Sequence, residues 1–542
     1  MKRLKNILSK VNNDSRKLIL SPKKLMYIAA VSAMALTGCG QPSDTTESQH
    51  DTSSPTVAAS KKSTDKPNVL IFYVDDLGYG DIGAYGAKVA TPNVDRLAAG
   101  GIRFTDAHSP AATCTPSRVS MLTGRYAFRN KAAILPGDAP LAIDHNGYTL
   151  PDLFSKAGYK TAVVGKWHLG LGEGGYLDWN KAVKPGPIEL GFDYSFLMPA
   201  TGDRVPTAYL ENHHIVGLEE NDPIQVTYDR QKIGQRPVGR ENPELLKQQA
   251  DDQHSDTIVN GISRIGYMAG GKNAEWVDED FPFVFTDKAI DFIKDVKDQP
   301  FFLYFPFHDI HVPRVPNKMF EGKSGMGPRG DAILQMDWMT GKIVDALEAE
   351  GLLENTLILF SSDNGPVLDD GYADQAVELL GDHDPSGGFN GGKYSAFEAG
   401  TRVPMIAYYK GKINAGVSDA LFSHIDFYAS FADMLGITLK NDEAIDSQNV
   451  LPALFDAEKS GVEWSLQEAF TLGLRHNQWK YIAPFDGTTP AWLSNKTVDA
   501  ALRPHAMLFN LAEDAAEQHN VIEQYPDILK RMEDKLKKIK AR

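Results

Sequence analysis

The feature that most constrains the fold is an alternation of short apolar strands with amphipathic helical segments. The predicted strands are Asn68–Val74 and residues 161–164, 301–305, 356–360 and 405–409. These runs are continuously apolar and rich in β-branched residues, as in strands covered on both faces. Segments near residues 92–100, 289–296 and 333–347 carry apolar side chains three and four positions apart, which indicates helices packed on a sheet. The alternation predicts an α/β fold with a large, mostly parallel sheet flanked by helices.

The pattern changes after about residue 455. Short strands are predicted at 469–474 and 479–482, followed by a charged final helix at 525–540. We therefore predict an α/β catalytic domain over residues 67–455 and a smaller C-terminal α+β subdomain over residues 456–542.

The N-terminus has the pattern of an export signal. Residues 1–24 are basic, and the apolar run that follows at 25–36 is too short to cross a bilayer comfortably. The next residues, Leu36-Thr37-Gly38-Cys39, resemble the lipobox of bacterial lipoproteins, which implies cleavage before Cys39 and lipid attachment to its sulfur. A non-lipidated signal or an uncleaved anchor is the alternative reading.

These features predict a lipoprotein signal peptide at 1–38 and a flexible tether, rich in Ser, Thr and Asp, at 39–66. Gly40 rather than Asp follows Cys39, which favours the outer membrane. We expect an exported protein of a Gram-negative bacterium, in the periplasm or at the cell surface. Its contact with the membrane would be through the lipid anchor only.

The charge balance argues against one class of partner. The chain has 56 Lys and Arg against 71 Asp and Glu, a net charge of −15, and no basic stripe with interleaved aromatic residues. Nucleic-acid binding is therefore not expected. An anionic substrate would need a local positive pocket within a negative surface.

Polar residues follow several of the predicted strands, where ligands gather in open α/β sheets. The clusters are Asp75-Asp76, Lys166 to His168, His308 to His311, Asp363-Asn364 and the loop to Lys393. The carboxylates Asp75, Asp76 and Asp363 with the amide Asn364 form an oxygen-only set, which suits Ca²⁺ (or Mg²⁺) better than Zn²⁺. Asp81 in the adjoining turn is expected to be solvated.

The most specific motif is C-T-P-S-R at 114–118 with L-T-G-R at 122–125. Pro116 suits the first turn of a helix, so Cys114 would lie at a helix N-terminus, where an anion is stabilised. Arg118, one turn later, can reach back toward residue 114. A plain cysteine there would be an activated thiolate, so the residues alone leave an unmodified nucleophile or a structural cysteine open.

Further motifs occur in the same chain order. They are G-K-W-H-L-G at 165–170, the histidine before x-Pro at 311, G-G-K at 391–393 and E-A-G-T-R-V-P at 398–404. Together with the motif at Cys114 they resemble type I, formylglycine-dependent sulfatases of the arylsulfatase kind. The resemblance extends from residue 68 to about residue 482. It implies the alkaline-phosphatase-like sulfatase fold and a sulfuric ester hydrolase. Residues 191–206 resemble bacterial polysaccharide-degrading sulfatases more than animal arylsulfatases.

The resemblance also implies roles for the site residues. Cys114 would be oxidised to Cα-formylglycine by a formylglycine-generating or anaerobic sulfatase-maturating enzyme. Residue 114 would then join the four oxygen ligands around Ca²⁺. The implied catalytic set is Cys114, Arg118, Lys166, His168, His311 and Lys393. In that set the two lysines hold sulfate and His168 accepts the hydrate's proton. His311, helped by Lys393, protonates the leaving oxygen, while Arg402 is structural.

The substrate implied by the resemblance is a sulfated carbohydrate. Candidate sugar contacts are Asp203, Arg204, His308 and His383, which could equally serve only to order loops. Algal galactans such as carrageenan are the preferred substrate, with host glycosaminoglycans and ulvan- or fucan-type glycans open. The alternatives are a phosphonate monoester or phosphodiester hydrolase of the same superfamily and a non-catalytic glycan-binding lipoprotein.

Overall fold

The computed structural model describes residues 66–542. The predicted signal peptide, Cys39 and all but the last residue of the predicted tether lie outside these residues. The helices are α1 Pro92–Gly100, α2 Cys114–Thr123, α3 Leu150–Lys156, α4 Phe281–Val296, α5 Gly327–Ala349, α6 Phe427–Met434, α7 Leu451–Phe455 and α8 Pro526–Lys540. Within this part of the chain, each of these helices is too short or too polar to cross a membrane.

The strands fall into one large sheet, one four-stranded sheet and three two-stranded pairs. They are β1 Asn68–Val74, β2 Ile102–Phe104, β3 Ala107–His108, β4 Lys160–Lys166, β5 Tyr194–Met198, β6 Leu210–Glu211, β7 His214–Ile215, β8 Gln225–Thr227, β9 Ile258–Val259, β10 Ile262–Ser263, β11 Tyr267–Ala269, β12 Phe301–Pro306, β13 Thr356–Ser362, β14 Met405–Tyr408, β15 Gly416–Ser418, β16 Phe422–Ser423, β17 Trp464–Glu468, β18 Leu472–His476, β19 Trp479–Ile482 and β20 Met507–Asn510.

The large sheet has ten strands in the order β15-β2-β14-β13-β1-β12-β4-β5-β6-β7. The five central strands, β13-β1-β12-β4-β5, are parallel, whereas β14, β6 and β7 pair antiparallel to their inner neighbours. The predicted mixed, mostly parallel α/β sheet is therefore confirmed.

Helices cover both faces of this sheet, as the fully apolar strands require. Every residue of β1 is buried. Val69 and Ile71 belong to the core that includes residues of α2, α3 and α6, whereas Leu70 and Phe72 belong to the core that includes α1, α4 and α5. The period of two along a strand thus places alternate side chains in two separate cores.

The C-terminal residues form the antiparallel sheet β17-β18-β19-β20, on which α8 packs through Met532 and Leu536. The predicted strand at 469–474 is wrong in its first half. Residues 469–471 form a tight turn between β17 and β18, in which the Ala469 N–H donates to the Thr471 carbonyl at 2.9 Å. The domain boundary at residue 455 stays a prediction.

Candidate active site

The carboxyl ends of four neighbouring parallel strands, β4, β12, β1 and β13, meet at one edge of the large sheet. Register pairs Val74 of β1 with Ser362 of β13, so Asp75 and Asp363 leave adjacent strands side by side. Helix α2 begins at Cys114, as the motif predicted. The strand-end residues singled out in the sequence, together with Lys393 from a later loop, therefore converge on one place.

Three carboxylates and three cations form a buried cluster there. The contacts are Lys166 Nζ with Asp75 Oδ2, Lys393 Nζ with Asp76 Oδ2 at 2.9 Å, and Arg118 Nε with Asp363 Oδ2 at 2.8 Å. None of the six side chains is more than 2% exposed. Because these charges balance one another, any added divalent cation would give the cluster a net positive charge toward an anionic ester.

The oxygen ligand set fits such a cation. Among the described residues, Asp75 Oδ1 and Asn364 Oδ1 are buried and accept no hydrogen bond, which is costly for a polar atom left without a partner. Burial, with Asp363 nearby, raises the pKa of Asp75 to about 6, and burial also raises the pKa of Asp76. Asp75, Asp76 and His311 bring ligand atoms within 4.8 Å of one another. Two members of this group are carboxylates, which suit a hard divalent ion, and the third is an imidazole nitrogen; Asp363, which pairs with Arg118, is not among them.

A second group of possible ligands is a structural ion network instead. Asp106, His108 and Glu398 also lie within 4.8 Å of one another. Arg402 and Arg475 already donate to these carboxylates, at 3.0 Å from Asp106 in both cases. The positive charge a metal would supply is therefore already present, and Arg402 is structural, as expected.

Cys114 faces a histidine prepared to accept a proton. Its Sγ lies 3.2 Å from His168 Nδ1, while His168 Nε2 donates to the Leu135 carbonyl at 2.9 Å. Since a carbonyl only accepts, Nδ1 is the unprotonated nitrogen. Burial, with Arg204 and Lys166 nearby, lowers the pKa of His168 well below its usual value, so the ring is neutral at pH 7.

The expectation of an activated thiolate at Cys114 is wrong. Burial raises the pKa of this thiol above its ordinary value, and this effect outweighs the lowering by Lys166 and Lys393. Cys114 is only 2% exposed, and the loss of surrounding water disfavours the charged form of its thiol. An unmodified Cys114 is therefore a poor nucleophile at neutral pH.

The two histidines after β12 have different surroundings. His311 lines the cavity that contains Cys114, and its Nδ1 donates to the Val312 carbonyl at 2.6 Å, which leaves Nε2 free to face Asp76 Oδ2 at 3.9 Å. His308 is not on the cavity wall; its ring packs against Phe281 with 5.3 Å between centroids. Burial, with Lys166 nearby, lowers the pKa of His308 to about 4, so this ring is neutral.

A cavity of about 850 Å³ opens from Cys114, His168, His311 and Lys393. Its wall includes the predicted Asp203 and Arg204, and also residues that no motif in the sequence indicates. These are His254, Asp370, Tyr394, Phe470, Trp492 and Lys496, with Lys131 and Lys540. The cavity is large enough for a ligand well beyond a sulfate group.

Asp370 is a second carboxylate partner of Lys393, in addition to Asp76. It accepts from Lys393 Nζ at 2.9 Å and from Tyr394 Oη at 3.1 Å, and it pairs with Lys496 Nζ at 2.9 Å. Burial lowers the pKa of Lys393, but Asp370 and Asp76 outweigh it and hold this pKa well above its usual value. Lys393 is therefore a permanently charged group at the cavity wall.

His383 lies away from these residues. Its Nε2 contacts Asp81 Oδ1 at 2.8 Å, and it does not line the cavity. Asp81 is not solvated, contrary to expectation: it is fully buried and pairs with Arg329 at 2.6 and 2.9 Å. The structure thus gives His383 a contact that orders the loop after β1.

Asp203 and Arg204 form a charge pair on the cavity wall, with Arg204 Nη1 donating to both Asp203 oxygens at 2.8 Å. His254 lies beside them, with Nδ1 2.6 Å from Asp251 Oδ1 and Nε2 3.4 Å from Asp203 Oδ2. Burial lowers the pKa of His254, but Asp203 and Asp251 outweigh it and raise this pKa to about 8.

We expect His254 to make stability depend on pH. Because the pKa of His254 is higher in the folded than in the unfolded state, its protonation raises the free energy of unfolding by about 2 kcal/mol below about pH 6.5. This contribution is lost as pH rises through about 8. Urea unfolding of the wild type and of His254→Gln, at about pH 6 and about pH 9, measures it. The wild type should lose about 2 kcal/mol more than the variant over this interval; equal losses would contradict the assignment.

A buried, charge-balanced cluster at the carboxyl edge of an α/β sheet, facing a cysteine and the neutral His168 in a cavity, is the site of a hydrolase of anionic esters. The sulfatase family model matches residues 67–437, and the chain belongs to the sulfatase family. It is 47% identical over 485 residues to an N-acetylgalactosamine-6-O-sulfatase of Bacteroides thetaiotaomicron, covering 89% of this chain and 94% of that protein. It is 30% identical over 491 residues to bovine arylsulfatase A, covering 87% and 86%.

The structural comparison agrees. A solved sulfatase from a study of glycosaminoglycan metabolism by Bacteroides thetaiotaomicron superimposes with a TM-score of 0.86 at 47% identity, covering 88% of this chain and 100% of that chain. The predicted sulfatase family, its fold and the enzyme class are therefore confirmed.

Proposed function

We propose that this enzyme removes sulfate from a sulfated carbohydrate, and specifically the 6-sulfate of an N-acetylgalactosamine unit. The observation that carries the proposal is the 47% identity to a protein of that activity over 94% of its length. The Asp203–Arg204 pair adds a carboxylate and a guanidinium on the cavity wall, which suit adjacent sugar hydroxyls. Carrageenan, the substrate preferred from the sequence, is the competing proposal.

The nucleophile we propose is Cα-formylglycine derived from Cys114, whose hydrate supplies the hydroxyl that accepts the sulfuryl group. The poor acidity of the Cys114 thiol supports the need for this modification. His168 Nδ1, unprotonated and 3.2 Å from Sγ, is placed to take a proton from a group on residue 114. A formylglycine-generating or anaerobic maturating enzyme would be the partner that installs it.

The cation we propose is Ca²⁺, with Mg²⁺ the alternative, held by Asp75, Asp76, Asp363 and Asn364 with residue 114; it would draw electron density from the sulfate oxygens. Arg118 and Lys166 lie in the same cluster and stabilise negative charge close to residue 114. The unpartnered oxygens of Asp75 and Asn364 support this ligand set.

The leaving group needs a proton on the sugar oxygen as its bond to sulfur breaks. Lys393 has a pKa too high to give up its proton readily, so it stabilises charge. Burial, with Lys393 and Lys166 nearby, lowers the pKa of His311 well below its usual value, so Nε2 carries no proton in the free enzyme. The negative charge of a bound sulfate ester would favour the imidazolium, and His311 Nε2, on the cavity wall, would then be the donor to the leaving oxygen.

A substrate panel tests the proposal. Sulfate release is measured from N-acetylgalactosamine 6-sulfate, its 4-sulfate isomer, N-acetylglucosamine 6-sulfate and carrageenan oligosaccharides, using mature protein with Ca²⁺. We expect the 6-sulfated galacto compound to exceed each of the others in kcat/KM by at least about tenfold. Preference for carrageenan, or no turnover of the 6-sulfate, would overturn the substrate assignment.

The same panel, extended with an aryl sulfate and an aryl phosphonate, tests the alternative that the enzyme is a phosphonate monoester or phosphodiester hydrolase. Tight binding of the glycans without turnover would indicate a glycan-binding protein.

Export and lipid attachment at Cys39 complete the proposal, since an enzyme tethered at the cell surface meets polysaccharide fragments during uptake. Radiolabelled fatty-acid incorporation into the wild type but not into Cys39→Ala would test the anchor.

A further inference from the structure

The cavity extends beyond the cluster that would hold a single sulfated sugar, and its outer wall is aromatic. We propose that this wall, formed by Tyr394, Phe470 and Trp492, is a subsite for a second sugar that carries a carboxylate or sulfate, next to the sulfated sugar. The inference rests on the proposed carbohydrate sulfatase function. It adds that the preferred substrate is an anionic oligosaccharide.

The aromatic wall is built from three separate segments of the chain. Tyr394 and Trp492 meet edge to face with 5.0 Å between ring centroids, and Phe470 lies 6.0 Å from Trp492. Trp492 and Phe470 are only partly buried, and all three rings line the cavity. Partly exposed aromatic faces in a concave site bind the apolar C–H faces of flat rings.

The position of the wall relative to the sulfate cluster is fixed by Tyr394. This residue follows Lys393 directly, its N–H donates to the Ala112 carbonyl at 2.7 Å, and its hydroxyl contacts Asp370, which also accepts from Lys393. A ring stacked on this wall would therefore lie beside the sugar whose sulfate reaches Lys393. That is the position of the adjoining sugar in an oligosaccharide.

The mouth of the cavity carries positive charge that the sulfate cluster does not use. Lys131 and Lys540 are exposed, line the cavity and form no ion pair within residues 66–542. Glu468 on the same wall does not cancel them at pH 7, because burial raises its pKa to about 8. On a chain with a net charge of −15, this local excess suits a second anionic group.

The test compares four substrates that share the same sulfated hexosamine. They are the monosaccharide, a disaccharide with a neutral hexose, a disaccharide whose second sugar carries a carboxylate, and one whose second sugar carries a sulfate. We expect the wild type to prefer the anionic disaccharides over the monosaccharide in kcat/KM by about tenfold or more. The carboxylate and sulfate arms identify which anion is favoured.

Substitutions in the cavity wall test which residues cause the preference for anionic disaccharides. Trp492→Ala should reduce the ratio of disaccharide to monosaccharide kcat/KM about tenfold. The double change Lys131→Gln with Lys540→Gln should remove the preference for the anionic over the neutral disaccharide. The matched controls, Tyr176→Ala at a 73% exposed tyrosine and Lys530→Gln on the same helix as Lys540, should leave both ratios unchanged.

The outcomes separate the two proposals. The subsite would be overturned if a second sugar does not raise kcat/KM above that of the monosaccharide, or if Trp492→Ala keeps the increase. In either case the sulfatase assignment stands. Failure of all these sulfated hexosamines, with turnover of another sulfated glycan, would instead overturn the proposed substrate. Thermal unfolding of each variant shows whether a lost ratio reflects a lost fold.

Discussion

Cys114→Ala should abolish sulfate release, lowering kcat/KM by at least about 10⁴-fold, because the variant has no group that can become the nucleophile. The change removes one buried sulfur at the start of α2 and leaves the cluster of Asp75, Lys166 and their neighbours intact. The fold should therefore survive. The measurement is sulfate release from an aryl sulfate and from the 6-sulfated sugar, with thermal unfolding to verify folding.

Mass analysis of the peptide containing residue 114 separates the explanations for a loss. Conversion of cysteine to formylglycine lowers the residue mass by about 18 Da, and an alkylating reagent shows any remaining thiol. Cys114→Ser should also be inactive unless the host's maturation enzyme accepts serine. Near-normal turnover by Cys114→Ala, or full activity with an intact thiol, would contradict the assignment of residue 114.

The convergence of the site was predictable because parallel strands deliver their carboxyl ends to one edge of a sheet. Asp75 and Asp363 follow two apolar runs whose pairing is adjacent, with Val74 beside Ser362. The α/β alternation required this edge, and hence a common location for most of the motifs. The backbone at the site was not predictable: Asp76 and His168 have φ values of 62° and 52°, which a non-glycine residue adopts only where its surroundings impose it.

The outer half of the cavity escaped prediction because its residues meet only through long-range packing. Asp370 follows Asp369 in an ordinary polar turn, and only its contacts with Lys393 and Lys496 distinguish it. Trp492 lies in a short 3-10 helix, Ala491–Asn495, far along the chain from Tyr394. No local spacing carries such information, which depends on how loops of different strands fold over one another.

Two errors have the same physical cause. The sequence predicts a solvated Asp81 and an activated thiol at Cys114, whereas both residues are buried. The partner that compensates Asp81, Arg329, is 248 residues away. Burial therefore decides the ionisation of these groups, and it is the quantity that local motifs report least well.

Removing divalent metal should lower activity by at least about 100-fold, and Ca²⁺ should restore it. The fold should survive, because Arg118, Lys166 and Lys393 already balance the three carboxylates without a metal ion. Activity would be lost because the cluster is then neutral toward the sulfate ester rather than positive. The measurement is sulfate release after prolonged treatment with EDTA and gel filtration, followed by titration with Ca²⁺ and separately with Mg²⁺.

Asn364→Ala sharpens the test because it removes a ligand oxygen without changing the charge of the cluster. The buried Asn364 Oδ1 has no hydrogen-bond partner within the described residues, and Asn364 Nδ2 donates to Asp76 Oδ1 at 2.8 Å. The change therefore removes one ligand oxygen and the hydrogen bond that holds a second ligand, Asp76. We expect the Ca²⁺ concentration for half-maximal activity to rise at least about tenfold, with activity recovered at high Ca²⁺. Asn146→Ala at an exposed position is the matched control.

An unchanged Ca²⁺ dependence in Asn364→Ala would contradict the ligand set. Full activity in protein shown by elemental analysis to be free of divalent metal would contradict the metal itself.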